Sequence, residues 1–242
     1  MNRALFAAAT GMAAQQQNLD VIANNLANAN VIGFKGGSAA FAEIAAPGQI
    51  GLGTQSLGVH AVLEQGKLMK SGGPFDLAID GPGFFEVTDG RGHRAYTRDG
   101  EFARASDGTL RNAQGWRLEG VRIPNSALSA DVAENGSVTV QLSKGKRSAG
   151  TIKVAEFAAP ERLASLGGAL FAQTAQSGKA RLIEAGASGG PKIKFGMLEQ
   201  SNVSIVEAMM EILSAQRAYE ANAKGVQAAD EMMRIADNLT RG

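Results

Sequence analysis

Large apolar residues recur every seven positions at both ends of the chain. Near the start they are Leu5, Met12, Leu19 and Leu26, and Ala8, Gln15, Ile22 and Ala29 follow three places after each. So narrow a stripe predicts one helix over about residues 2–29 with a coiled-coil seam, not a broad globular face. Near the end Ile205, Ile212, Tyr219, Val226 and Met233 keep the same interval, with Ala208, Ala215, Asn222, Ala229 and Ala236 at the alternate seam positions. Ser204 and Glu207 fit a capping box ahead of this run. The helix so predicted, 205–239, has no proline, contains Gly225 as its weak point, and would be roughly 50 Å long. A periodic run of that length points to a coiled coil or a helical assembly. The two ends of one chain can also pair as an intramolecular hairpin, which covers both seams but leaves Met209, Met210 and Met232 without a role.

Between the helices the pattern changes to short alternating runs. Asp-Gly pairs stand at 80–81, 89–90, 99–100 and 107–108, each a turn signal, and the segments between them, "GFFEVT", "HRAYTR" and "EFARAS", have strand length. Residues 72 to about 125 therefore read as an antiparallel meander. Asn135-Gly136, "SVTVQL" and "GTIKVAEF" add a further hairpin, while "AAPGQIGLGTQSLG" (45–58) and "QSGKARLIEAGASGGPK" (176–192) read as connectors. The fold class expected is α+β, with long N- and C-terminal helices forming a coiled-coil stalk and an antiparallel β domain inserted between them. The expected divisions are an N-terminal axial helix (1–35), an extended connector (36–71), a β domain (72–195) and a C-terminal axial helix (196–242).

Composition narrows the function classes. The 242 residues carry 24 basic and 23 acidic side chains, so no net field recommends a nucleic acid or an anionic membrane. The short cluster Lys144-Gly145-Lys146-Arg147 reads as a solvated hairpin turn. Cysteine is absent, which excludes disulfides, thiolate metal sites and cysteine nucleophiles. No run is long enough to span a membrane. The start, "MNRALFAAATGMAA", imitates a signal peptide, but the seam periodicity continues straight through it.

Candidate chemistry is sparse. His60 and His93 lack a third ligand at metal spacing, and His93 falls in a turn without a nucleophile motif. "GQIGLG" does not open a helix after a strand, and "DLAIDG" lacks calcium-loop spacing. Asp76, Asp80 and Glu86 lie close in sequence, but turn and rim positions account for them; they are the residues on which a hydrolase reading would rest. With aromatics at 5%, a carbohydrate-stacking platform is disfavoured, which weakens a secreted, adhesin-like binding module as the rival reading. No catalytic residue, cofactor, metal site or small-molecule substrate is expected.

The segment "LDVIANNLANANVIGFK" followed by "FAEI", and "LEQSNVSIVEAMMEILSAQRAYEANAKGVQAADEMM" at the other end, closely resemble the axial rod and hook proteins of the bacterial flagellum. "FDLAIDGPGFFEV", "AYTRDGEF" and "DGTLRNAQGWRL" are similar to the middle of the distal rod members. The matching positions are Asn24, Asn25, Leu26, Asn28, Gly33, Phe34 and Lys35, then Ser201, Asn202 and Val203, then Gln216, Arg217, Tyr219 and Glu220. The resemblance implies a non-enzymatic subunit exported through the flagellar type III apparatus without a cleaved signal. It also implies self-assembly into a helical polymer, the rod that crosses the periplasm inside the basal-body rings and carries torque to the hook. The subunit interface would be the seams, Leu5, Met12, Leu19, Ile22 and Leu26 with Ile205, Ile212, Tyr219, Val226 and Met233. It gives the crowded asparagines 24, 25, 28 and 30 a role: capping the helix end and bonding neighbouring backbones, with Gly33 reversing the chain and Phe34 anchoring it. One departure stands out. Distal rod proteins often carry a longer insertion between "FAEI" and "GLGT", where this chain has only "AAPGQI", which keeps the proximal rod subunit as the alternative.

Overall fold

The computed structural model describes residues 3–44, 52–187 and 189–240, and the chain divides into two compact units. The first holds the chain up to Ala27, Gly37–Val62, and everything from Val203 onward. The second holds Asn28–Gly36 and Leu63–Asn202.

In the first unit, helix α1 (Arg3–Ala27) packs against helix α2 (Ile205–Thr240). Small residues set the approach. Ala208, Ala215 and Ala229 are buried, and a Cβ placed on Gly11 would lie 3.0 Å from Asn222 Nδ2. Ser204 opens α2 by accepting the Glu207 amide on its Oγ at 3.4 Å. The seam residue Ala236 lies outside the described side chains.

Residues expected to form an extended connector instead form an antiparallel hairpin, β1 (Gly37–Glu43) with β2 (Thr54–Ala61), bulged between Ala40 and Phe41. Its small and polar residues concealed it: the hairpin packs on α1, where close approach replaces large side chains. Gly53, at φ +99°, shows this, since a Cβ there would meet Thr10 Oγ1 at 2.2 Å. The same Oγ1 accepts the Thr54 amide at 3.2 Å. The stretch 45–51, which includes the whole of the short "AAPGQI" link, lies outside the described residues.

The second unit is the β domain. Its strands are β3 (Leu68–Lys70), β4 (Leu77–Asp80), β5 (Phe84–Thr88), β6 (Arg94–Thr97), β7 (Ala103–Arg104), β8 (Thr109–Arg111), β9 (Arg117–Arg122) and β10 (Ser129–Val132). They continue as β11 (Ser137–Leu142), β12 (Gly145–Thr151), β13 (Lys153–Glu156), β14 (Ala164–Gly167), β15 (Leu170–Ala172), β16 (Arg181–Glu184), β17 (Lys192–Phe195) and β18 (Met197–Glu199). A main antiparallel path runs β10-β11-β12-β9-β5-β6-β15-β14, and separate pairs join β17 to β4 and β18 to β3. Two corrections to the expected divisions follow. The return connector contains β16, paired with β13, and β18 keeps residues 197–199 in the β domain, so the C-terminal helix starts at Ile205, well after 196.

Alternation along β5 builds two aromatic layers. Phe85 and Val87 face the main core, where Phe85 meets Phe102 edge-on at 5.8 Å. Phe84, on the other face, joins Phe157 and Phe171 at 6.1 and 5.7 Å, and Tyr96 meets Phe157 at 4.8 Å. The Asp-Gly turns divide by mechanism. Gly81 and Gly108 use positive φ, whereas Gly100 is needed for closeness, because a Cβ there would lie 1.6 Å from the Leu77 carbonyl.

Candidate functional site

The α1 helix ends where the asparagines crowd. Asn25 bonds both polar groups of the Gly37 backbone, donating from Nδ2 to its carbonyl and accepting its amide on Oδ1, each at 2.8 Å. This pins the start of β1 to the helix end. Asparagine suits the position because one amide both donates and accepts.

The loop thereby closed, Asn28–Gly36, belongs to the β domain. Two short turns, Val31 N to Asn28 O at 3.0 Å and Phe34 N to Val31 O at 3.3 Å, shape it. Gly33 then lies so close to the "TRDG" segment that leaves β6 that a Cβ would fall 2.3 Å from the Asp99 nitrogen, and its φ of +65° also requires glycine. Its amide donates to the Glu199 carbonyl at 2.8 Å.

Two residues on, Lys35 reaches a buried charge cluster. Lys35 and Arg98 are each 4% exposed and Glu199 is 0% exposed. Lys35 Nζ lies 2.5 Å from Glu199 Oε1 and 2.6 Å from the Glu64 carbonyl. Arg98 Nη1 donates to Glu199 Oε2 at 3.0 Å and to the Ile79 carbonyl at 3.2 Å, while Nη2 donates to the Gly81 carbonyl at 2.7 Å. The Gly66 amide supplies a further donor to Glu199 Oε1 at 2.9 Å. Arg98 also stands 5.6 Å over the Phe84 ring, which attracts cations through its face.

Two cations against one anion would leave an uncompensated buried charge, and the carbonyls of Glu64, Ile79 and Gly81 offset it. Burial still pushes the Lys35 ammonium and the Arg98 guanidinium below their ordinary ranges, with Glu199 opposing. Beside the cluster, Asp99 accepts the Glu101 amide at 3.0 Å, yet burial raises its carboxyl to about 6. Asn202 completes the site. Its Oδ1 accepts the Gly36 amide at 2.8 Å and its Nδ2 donates to the Glu64 carbonyl at 3.2 Å.

The residues expected to act fall into two groups. Gly33, Lys35 and Asn202 meet in this cluster, with Phe34, Asn28 and Ser201 half-buried around the same segments. The seam residues lie on the helices of the first unit. Ile22 is buried, Leu5, Met12, Leu19, Leu26, Ile212 and Val226 are half-buried, and Ile205, Tyr219 and Met233 are exposed. Asn24, Gln216, Arg217 and Glu220 are exposed, and Val203 is half-buried.

Of the groups considered for hydrolysis, Asp80 is exposed at the end of β4, and Asp76, Glu86 and His93 are engaged locally. Asp76 accepts from Ser71 Oγ and from the Gly73 amide, Glu86 faces Arg94 at 3.3 Å, and His93 Nδ1 pairs with Asp89 at 2.8 Å, holding that carboxyl at about 2. Among the described residues no group of three or more acidic or histidine side chains could hold a metal ion, and no helix is long and apolar enough to cross a membrane. Sequence reasoning missed Arg98 and Glu199 as site residues. Their signal was a charge set among apolar strand residues, in "AYTR" and "GMLE".

Three family models match the chain: flagella basal body rod protein over residues 5–35, flagellar hook protein FlgE/F/G D1 domain over 78–140, and flagellar basal body rod FlgEFG protein C-terminal over 195–239. Lys35, Arg98 and Glu199 come one from each matched region. The chain is 38% identical to the flagellar basal-body rod protein FlgG of Borreliella burgdorferi and 34% identical to that of Bacillus subtilis, with the whole of each chain covered. It is also 33% identical to the flagellar hook protein FlgE of Escherichia coli over 56% of this chain and 38% of that protein.

Proposed function

Because the chain belongs to the flagellar basal-body rod protein family, whose members are structural and not enzymatic, we propose that it is the distal rod subunit. In this role it polymerises helically with its own copies and transmits torque to the hook. The observation that carries the distal reading is the full-length match to rod proteins FlgG, set against a hook match that covers only part of this chain. A helical polymer needs contacts that repeat without closing, and α2 offers a surface for them. Once α1 covers the alanine stripe, Val206, Met209, Met210 and Leu213 remain 69, 55, 62 and 56% exposed on a separate face.

On this reading the terminal helices form the coiled-coil stalk, and the seam residues contribute to contacts between subunits. The neighbours are other rod and hook subunits and the surrounding basal-body rings. The chain passes through the flagellar type III apparatus with no cleaved signal and takes its place in the part of the rod that crosses the periplasm.

The test is replacement of the native gene in a motile strain by Ile212→Asp or Leu19→Asp, with rods counted in isolated basal bodies. The β domain of the purified variants should stay folded while rods are lost, because a seam carboxylate has no partner in an apolar contact. Normal rods and swimming in both variants would overturn the assignment of the seams.

A further inference from the structure

The chain passes between its two units after residues 27, 36, 62 and 202. Three of these passages are held by one network inside the β domain. Asn202 bonds Gly36 and Glu64, and Lys35 bonds Glu64 and Glu199. Gly33 and Gly66, next to two of the passages, are bonded to the carbonyl and carboxylate of the same Glu199. Each passage is thus tied to the others and not only to the sheet it enters.

We propose that Lys35 and Asn202 are positioning residues that cinch these passages into one knot, through which force carried by the terminal helices reaches the β domain. The mechanical part rests on the rod reading; the cinch itself does not. Covalent passages alone would let each strand be pulled separately. A shared carboxylate and a bridging amide instead spread a pull on any one strand over all three. Arg98 serves differently, since its carbonyl partners Ile79 and Gly81 lie within the sheet region, and it keeps Glu199 neutralised whether or not Lys35 is present.

That difference supplies the experiment. Lys35→Met removes the tie but leaves the Arg98–Glu199 pair, and a cavity of about 250 Å³ lined by Lys35, Phe84 and Phe157 gives the thioether room. Amide hydrogen exchange is measured on the full-length dilute chain. Lys35→Met should accelerate exchange at Gly33 and Gly36 by about tenfold or more, while Leu77 and Ile152, bonded to Gly100 and Gly136, keep their rates. Asn202→Ala should accelerate Gly36 in the same selective way. Equal acceleration of all four amides would mean a general structural role and overturn the proposal, as would unchanged rates at Gly33 and Gly36.

In cells, Lys35→Met should leave rod number normal and reduce swimming in viscous medium. Unimpaired swimming there, or loss of rods altogether, would overturn the mechanical part. The unsubstituted chain in the same strain separates the two claims: if it builds no rods, the rod reading fails and the exchange result stands by itself.

Discussion

Asp99, next in sequence to Arg98, shows how burial sets the proton affinity of a single side chain. Burial raises its carboxyl to about 6, so the folded protein holds that proton more tightly than the unfolded chain does. The cost of burying the carboxylate is therefore present above pH 6 and is relieved as pH falls towards the ordinary value near 3.8. That gap corresponds to at most roughly 3 kcal/mol. Glu86, raised by its own burial, acts in the same direction. Denaturant melts of the full chain should show stability rising between pH 7.5 and pH 5. Asp99→Asn, which can still accept the Glu101 amide, should stabilise the protein at pH 7.5 by about 1 to 3 kcal/mol and flatten that slope.

Among the elements, the helices were legible in the sequence and the hairpin on α1 was not. Sevenfold spacing of Leu5 to Leu26 and of Ile205 to Met233 announces a helix whatever the partner, because the period belongs to the helix itself. Strands β1 and β2 are mostly Gly, Ala, Ser and Thr, and Leu57 and Val59 of β2 are exposed, so their pattern carries little burial signal, while Gly37 beside Val21 and Gly53 beside Thr10 show how closely the hairpin packs on α1. The seam held a second lesson. Ala208, Ala215 and Ala229 are buried while Ile205, Tyr219 and Met233 are exposed, so the small series is the one that sets the spacing of α1 and α2. Ala215→Leu should therefore cost about 1 to 3 kcal/mol through overpacking, read from the helical circular dichroism melt, while Val206→Gln should leave the isolated chain unchanged.

For the whole molecule, the boundaries matter more than the count of strands. The strands of residues 72 to 125 and the hairpin turns at 89–90 and 107–108 were readable, but the expected meander is broken, since β4 pairs with β17 and β6 with β15; the β domain also needs Asn28–Gly36 and Glu199, which sequence proximity cannot reveal because the cluster joins segments far apart. A fragment cut at 72 and 195 keeps Arg98 but loses Glu199, leaving the guanidinium without its carboxylate. A fragment spanning 63–202 retains that pair together with the β3–β18 ladder. The longer fragment should be more stable by about 3 to 5 kcal/mol in thermal or denaturant unfolding.

The pairing of Lys35 with Glu199 spans 164 positions of sequence. A chain that emerges N-terminus first must carry this lysine, solvated and unmatched, until almost the whole polypeptide has followed. Contacts of such separation close late, since a long loop must be ordered before any bond rewards it. The junction therefore acts as a clock as well as a fastening: it cannot shut before Glu199 has followed, and its closure dates the completion of the β domain, with α2 still to come.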